Sequence, residues 1–132
     1  MFFWGCVNQN YSDGVSFYPL PDLTFIQTEK DYYGNSYSVY NDFVVIANPP
    51  KNREKLQNFI EVYNKKSLPK RQLSQQFGYI RRFYKESETM PRDYKESRDG
   101  YFNIDRWENH GDDLLIIVKW SEYGKELTYE FP

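Results

Sequence analysis

His110 is the only histidine of the chain, and it stands in Glu108-Asn109-His110-Gly111-Asp112-Asp113, with Asp105 just upstream. An imidazole near carboxylates can serve as a general base or a metal ligand. A mononuclear transition-metal site draws on more His or Cys than this chain owns. Asp105, Glu108, Asn109, Asp112 and Asp113 are hard oxygen donors of the kind calcium takes, but they lack the EF-hand spacing. The stretch therefore reads as a turn entering a strand, and no metal or cofactor is assigned. Cys6, the only cysteine, lies in the N-terminal arm and rules out an intramolecular disulfide. No Gly-x-Ser-x-Gly elbow, phosphate-binding loop or dinucleotide fingerprint occurs. Two carboxylates far apart in sequence leave no signature, so an Asp/Glu hydrolase stays open as a third reading.

Binding chemistry is better supplied. The 132 residues include 13 Tyr, 10 Phe and 3 Trp, and Tyr and Trp offer stiff contact area with a polar handle. Glu86–Asp112 is long for a loop of a compact domain, and such loops are usually functional or structured. It holds Arg92, Tyr94, Tyr101, Phe102, Arg106 and Trp107, which form the expected partner-binding set: aromatic and Arg anchors with a charged rim. Each of these rings could equally be tucked onto the sheet, Trp107 above all.

Charge is sorted along the chain although the net charge is only −2. Residues 1–50 carry one Lys against five acids, 51–85 carry ten Lys/Arg against two Glu, and 86–132 carry six basic residues against twelve acids. Basic helix beside acidic strands explains this pattern, as does a basic face for an acidic protein or nucleic acid. Lys65, Lys66, Lys70, Arg71, Arg81 and Arg82 are the one basic cluster, with Tyr79 and Phe83 at hand to stack on bases. A sequence pI near 5.5 argues against a dedicated nucleic-acid binder.

These residues must be positioned by a small set of elements. Val15–Pro21 is expected to be extended, since Pro19 and Pro21 disfavour helix before them. Leu23–Thr28, Tyr37–Tyr40 and Phe43–Ala47 read as strands of an antiparallel meander, turned at Asp31–Ser36 and bent or bulged at Asn41-Asp42. A helix is expected after Asn48-Pro49-Pro50, capped by Asn48, with Leu56, Phe59, Ile60 and Tyr63 as its apolar stripe. A shorter helix should follow Ser67-Leu68-Pro69 and run to about Gln76. Phe77–Tyr84, Asp113–Trp120 and Leu127–Phe131 read as strands, the last two joined by a hairpin turn at Tyr123–Glu126. Strands on both sides of a helical middle mean an α+β fold, a single domain over 15–132 with a mostly antiparallel sheet. Residues 1–14 form an arm or tether.

Met1-Phe2-Phe3-Trp4-Gly5-Cys6 resembles the end of a bacterial lipoprotein signal, and the polar Asn8–Gly14 resembles the tether that follows one. That resemblance implies lipidation of Cys6. Phe2, Phe3 and Trp4 fit a first strand as well, with Cys6 a small buried residue. As a whole, a small, slightly acidic, Tyr-rich α+β chain without catalytic residues resembles the immunity proteins that neutralise bacterial toxins. The resemblance is one of type, carried by the whole chain and not by a motif. It implies a non-enzymatic inhibitor of a cognate toxin, cytoplasmic or, if Cys6 is lipidated, anchored at the periplasmic face of a membrane. A lipid-anchored envelope protein binding a glycan or a structural partner is the alternative.

Overall fold

Phe43-Val44-Val45-Ile46-Ala47 has no polar alternation, and an uninterrupted apolar run fits a strand covered on both faces. That is where it lies in the computed structural model of the chain, which describes residues 9–10, 14–67, 77–88, 90, 92, 112–121 and 127–132. The described strands are β1 (Gln9–Asn10), β2 (Ser16–Pro19), β3 (Phe25–Lys30), β4 (Ser36–Ala47), β5 (Phe77–Lys85), β6 (Leu114–Ser121) and β7 (Leu127–Glu130). One helix, α1 (Arg53–Ser67), connects β4 to β5. They build one sheet in the order β1-β2-β4-β5-β6-β7, with β3 on β4 as well. Only the β4–β5 pair is parallel among the described strands, as a strand–helix–strand crossover requires. The fold is α+β with a mostly antiparallel sheet and a helix in mid-chain, as the sequence predicts.

The meander is not what forms. β2 and β3 both run antiparallel to β4, β2 against Val44–Ala47 and β3 against Ser36–Asn41. They act as one kinked partner strand, interrupted by a tight 3-10 turn at Pro21–Leu23. The irregularity expected at Asn41-Asp42 is therefore at the right level but on the opposite strand. β4 runs unbroken through this level, paired with β5 without a register shift from Ser38 to Ile46. The kink lets Leu20 and Leu23 turn inward onto Phe43, Val45, Tyr84 and Met90 in the smaller of two cores. Gln9 and Asn10 pair with Phe17 and Ser16, so this part of the arm joins the sheet edge.

The helix starts later than expected. Asn52, not Asn48, is the cap: its Oδ1 accepts the Lys55 N–H at 2.9 Å. A cap of this kind contributes about 1 kcal/mol. Asn48 adopts φ 53° and its side-chain amide donates to the Gly14 carbonyl at 3.2 Å, tying the end of β4 to the start of the domain. Asn tolerates this left-handed backbone better than most residues. The apolar stripe is as expected, with Leu56, Ile60 and Tyr63 buried and Phe59 packed at the core margin. They meet Val15, Phe17, Val44, Ile46, Phe83, Ile116 and Val118 on the sheet, and Phe17 stacks on Tyr63 with ring centroids 4.4 Å apart. Ser67 closes α1 by donating to the Tyr63 carbonyl and so belongs to this helix, ahead of the second one expected after it. The remainder of that second helix, and the turn at Tyr123–Glu126, lie outside the described residues. The strands flanking that turn, β6 and β7, are antiparallel partners, with Trp120 opposite Leu127.

Tyr84 lies at the heart of the smaller core, and burial pushes its hydroxyl up to about 12, with the nearby Arg82 charge offsetting part of the shift. The folded state thus holds this proton more tightly than the unfolded chain, whose tyrosines titrate near the ordinary 10.0. The resulting stability is complete below about pH 10 and is lost as pH rises toward 12, about 3 kcal/mol in all. Burial and the Asp42 carboxylate raise the Tyr79 hydroxyl as well, which adds in the same direction. Urea midpoints for Tyr84→Phe are expected to fall less steeply than those of the parent between pH 10 and 12. Parallel curves would show that Tyr84 does not carry the alkaline loss.

Candidate functional site

Strand alternation sends neighbouring Arg81 and Arg82 to opposite faces of the sheet. Arg81 faces α1 and is 1% exposed. In the parallel register it stands beside Asp42, and its Nε and Nη2 each donate to that carboxylate at 2.9 Å. Its Nη1 donates to Asn64 Oδ1 at 3.0 Å and Ser67 Oγ at 2.6 Å, both from the last turn of α1. Tyr79 completes the cluster by donating its hydroxyl to Asp42. Burial opposes the Arg81 charge, but the Asp42 charge and hydrogen bonds outweigh it and hold the guanidinium above its ordinary range. Every nitrogen of Arg81 is thus engaged within the fold. The cluster fastens the end of α1 to the sheet, and its chemistry is spent there.

Arg82 emerges on the other face, where its Nη1 donates to Asn41 Oδ1 at 3.0 Å and its guanidinium lies 5.6 Å from the centre of the Phe43 ring. Asn41 in turn donates to Gln27 Oε1 at 3.0 Å, linking β4 to β3. The basic cluster read from sequence is therefore divided. Arg81 is buried, Arg82 is on the far face, and Phe83 and Tyr79 are inside the fold, so neither ring can stack on a base. Alternation along β5 is the physical reason for this correction.

The carboxylates tell a similar story. Asp42 and Asp113 are the buried acids among the described residues. Asp42 is held by Arg81 and Tyr79, and Asp113 accepts the Ser87 hydroxyl at 2.5 Å. Asp112 is exposed at the entry to β6. Asp105, Glu108, Asn109 and His110 lie outside the described residues.

Of the expected partner-binding residues, Arg92 is described. It is exposed, forms an ion pair with Glu86, and donates to the Tyr18 hydroxyl at 3.2 Å while covering the Tyr18 ring at 4.8 Å. Tyr94, Tyr101, Phe102, Arg106, Trp107 and the lipidation candidate Cys6 lie outside the described residues.

A different pair of aromatic residues stands out, at the tip of the β3–β4 hairpin. Tyr32 is 95% exposed and Tyr33 83%, their rings edge to face with centroids 5.3 Å apart. The turn beneath them is tightly bonded. Asp31 Oδ1 accepts the N–H groups of Tyr33 at 2.9 Å and Asn35 at 2.8 Å. The Asp31 N–H donates to the Asn35 carbonyl, and the Gly34 N–H to that of Asp31. Gly34 takes φ 83°, which favours glycine. Ile26, 58% exposed, lies farther along β3, an edge strand that has β4 on one side and no partner on the other among the described residues.

Asp31–Ser36 reads from sequence as turn chemistry alone. The missed signal was adjacency. Two consecutive Tyr in a tight turn cannot both follow strand alternation into a core, so at least one ring must face solvent.

No helix among the described residues is long and apolar enough to cross a membrane. Comparison of the chain with protein families, with curated proteins and with solved structures finds no match.

Proposed function

We propose that this chain is a non-enzymatic protein-binding module whose role is to neutralise a cognate bacterial toxin, with the β3–β4 hairpin tip entering a concave site on that partner. The carrying observation is the Tyr32–Tyr33 pair, exposed at 95% and 83% on a turn already locked by Asp31. Two bare rings on a convex tip cost the free protein hydration free energy and are a familiar mark of an interface. Because the turn is fixed in advance, binding orders little backbone, and that favours affinity. The edge-to-face rings share no plane, so they suit a cleft with two walls better than the flat face of a sugar.

The residues Arg92, Tyr94, Tyr101, Phe102, Arg106 and Trp107 are proposed as a second contact set, and Cys6 as a site of lipidation that would anchor the inhibitor to a membrane. In this reading Arg92 contributes as a rim charge, since Glu86 already pairs with it.

The test is affinity capture with the tagged chain from a lysate of its source, at low and high salt, read by mass spectrometry. One stoichiometric partner that survives high salt, and is toxic when expressed without this chain, is the expected result. Recovery of envelope glycan or of nothing counts against the proposal.

A further inference from the structure

The β3–β4 hairpin fixes which way the backbone of β3 faces. At the tip the Asp31 N–H donates to the Asn35 carbonyl, so by the alternation of an antiparallel ladder Glu29, Gln27 and Phe25 also face β4, level with Tyr37, Val39 and Asn41. Two bonds on β4 agree with this assignment: the Phe43 carbonyl accepts from Leu20 on one side, and the Ile46 carbonyl accepts from Glu86 on the other. The N–H and C=O groups of Ile26, Thr28 and Lys30 therefore point away from β4, and none has a backbone partner among the described residues. An open ladder is a template for another strand, and it is commonly blunted by a proline, a bulge or a lysine in mid-strand. β3 has no proline, pairs with β4 without a register shift, and carries its lysine at its last position. Ile26, Thr28, Glu29 and Lys30 are all exposed.

We propose that this edge pairs with the same edge of a second copy of the chain, the two β3 strands running antiparallel about a two-fold axis at Thr28. In that register Ile26 stands opposite Lys30 of the second copy and Thr28 opposite Thr28, so every outward N–H and C=O of both strands is paired. The Lys30 stem covers the exposed Ile26 while its ammonium stays in water. On the other face Gln27 comes opposite Glu29. Within one chain the Gln27 amide already donates to Glu29 and accepts from Asn41, which leaves one amide hydrogen for the Glu29 of the second copy. Sliding the strands by two residues one way sets Glu29 against Glu29, and like charges directly opposite are destabilising. Sliding them the other way leaves Lys30 with no β3 residue opposite. A two-fold pair of this kind closes on itself, each copy capping the other's open edge. Tyr32 and Tyr33 lie beyond the paired residues, so this inference does not rest on the toxin reading.

Sedimentation velocity of the full chain across a wide concentration range tests the proposal. An edge contact this small implies a dissociation constant on the order of 10–100 μM, so the mass should climb from 16.0 kDa toward twice that value. Amide exchange followed by NMR should slow with concentration at Ile26, Thr28 and Lys30, and stay unchanged at Gln27 and Glu29, which β4 already protects. Ile26→Lys sets a lysine against Lys30 on both sides of the axis and should weaken the dimer about tenfold or more. Its melting temperature should stay close to the parent's, because position 26 is exposed. Ile26→Lys combined with Lys30→Glu places opposite charges across the axis and should recover most of that loss. Within one chain the two positions are about 13 Å apart along the strand, so the recovery cannot come from a contact inside the monomer. A chain that stays monomeric throughout, a dimer indifferent to Ile26→Lys, or a double variant no tighter than Ile26→Lys would each overturn the proposal. So would amides of β3 that slow only when a different protein is added, since the edge would then belong to a foreign strand.

Discussion

Replacing Arg81 by Met is expected to destabilise the fold by about 3–5 kcal/mol. The loss is not that of one favourable contact. Arg81 has four neighbours that accept its hydrogens, Asp42, Asn64, Ser67 and the Tyr79 hydroxyl, and it is 1% exposed. Removing it leaves Tyr79 as the one hydrogen-bond donor to the Asp42 carboxylate among the described residues, in a site largely closed to water. Desolvation of that charge, more than loss of attraction, sets the magnitude. The same reasoning gives a second, discriminating expectation. Arg81→Met combined with Asp42→Val removes both charges and puts a β-branched residue in the strand, so the double variant should be more stable than Arg81→Met alone. Tyr79, Asn64 and Ser67 still lose partners, so recovery stays incomplete, short of the parent by about 2–3 kcal/mol. Urea unfolding midpoints of the parent, both single variants and the double variant decide the matter. If the two single losses simply add, Arg81 and Asp42 act separately and the cluster is not the lock described above.

How far the sequence foretold these features depended on whether a signal was local. Leu56 four residues before Ile60, or Phe59 four before Tyr63, is legible because a helix repeats over that distance. Phe43–Ala47 is legible as a strand because five apolar residues in a row need cover on both faces. The Arg81–Asp42 pair is not. Thirty-nine residues separate its members, and only the parallel register of β4 against β5 brings them level. The partner of β2 was hidden for a related reason. Nothing near Ser16–Pro19 distinguishes pairing with β3 from pairing with β4. The deciding fact is the inward turn of Leu20 and Leu23, a preference of the core and not of the segment. Asn48 reads as the helix cap because Pro49 directly after it suits a first turn. The backbone instead used Asn48 to reach the Gly14 carbonyl, a contact across 34 residues.

Tyr32→Ala combined with Tyr33→Ala is expected to weaken capture of the partner by about 3–5 kcal/mol, a loss of more than a hundredfold, while leaving thermal stability close to the parent. The two halves of that expectation rest on different observations. Stability should hold because neither ring is buried, and the turn depends on Asp31, Gly34 and Asn35, which the variant keeps. Substitutions at such exposed positions usually stay within about 0.5 kcal/mol. Binding should fall because central aromatic anchors carry most of the free energy of an interface, and these two stand exposed at the tip of the β3–β4 hairpin. Asp31→Ala provides the contrast. It keeps both rings but removes the acceptor that fixes Tyr33 and Asn35, so it should weaken binding through lost pre-organisation, by less than the double Tyr variant does. Tyr32→Phe and Tyr33→Phe should retain most of the affinity if the rings act by burial, and lose it if the hydroxyls meet polar groups of the partner. The captured partner, titrated against each variant by calorimetry, supplies the comparison. Undiminished affinity in the Tyr32→Ala/Tyr33→Ala variant would remove the hairpin tip from the interface and shift attention to Arg92 and the segment that follows it.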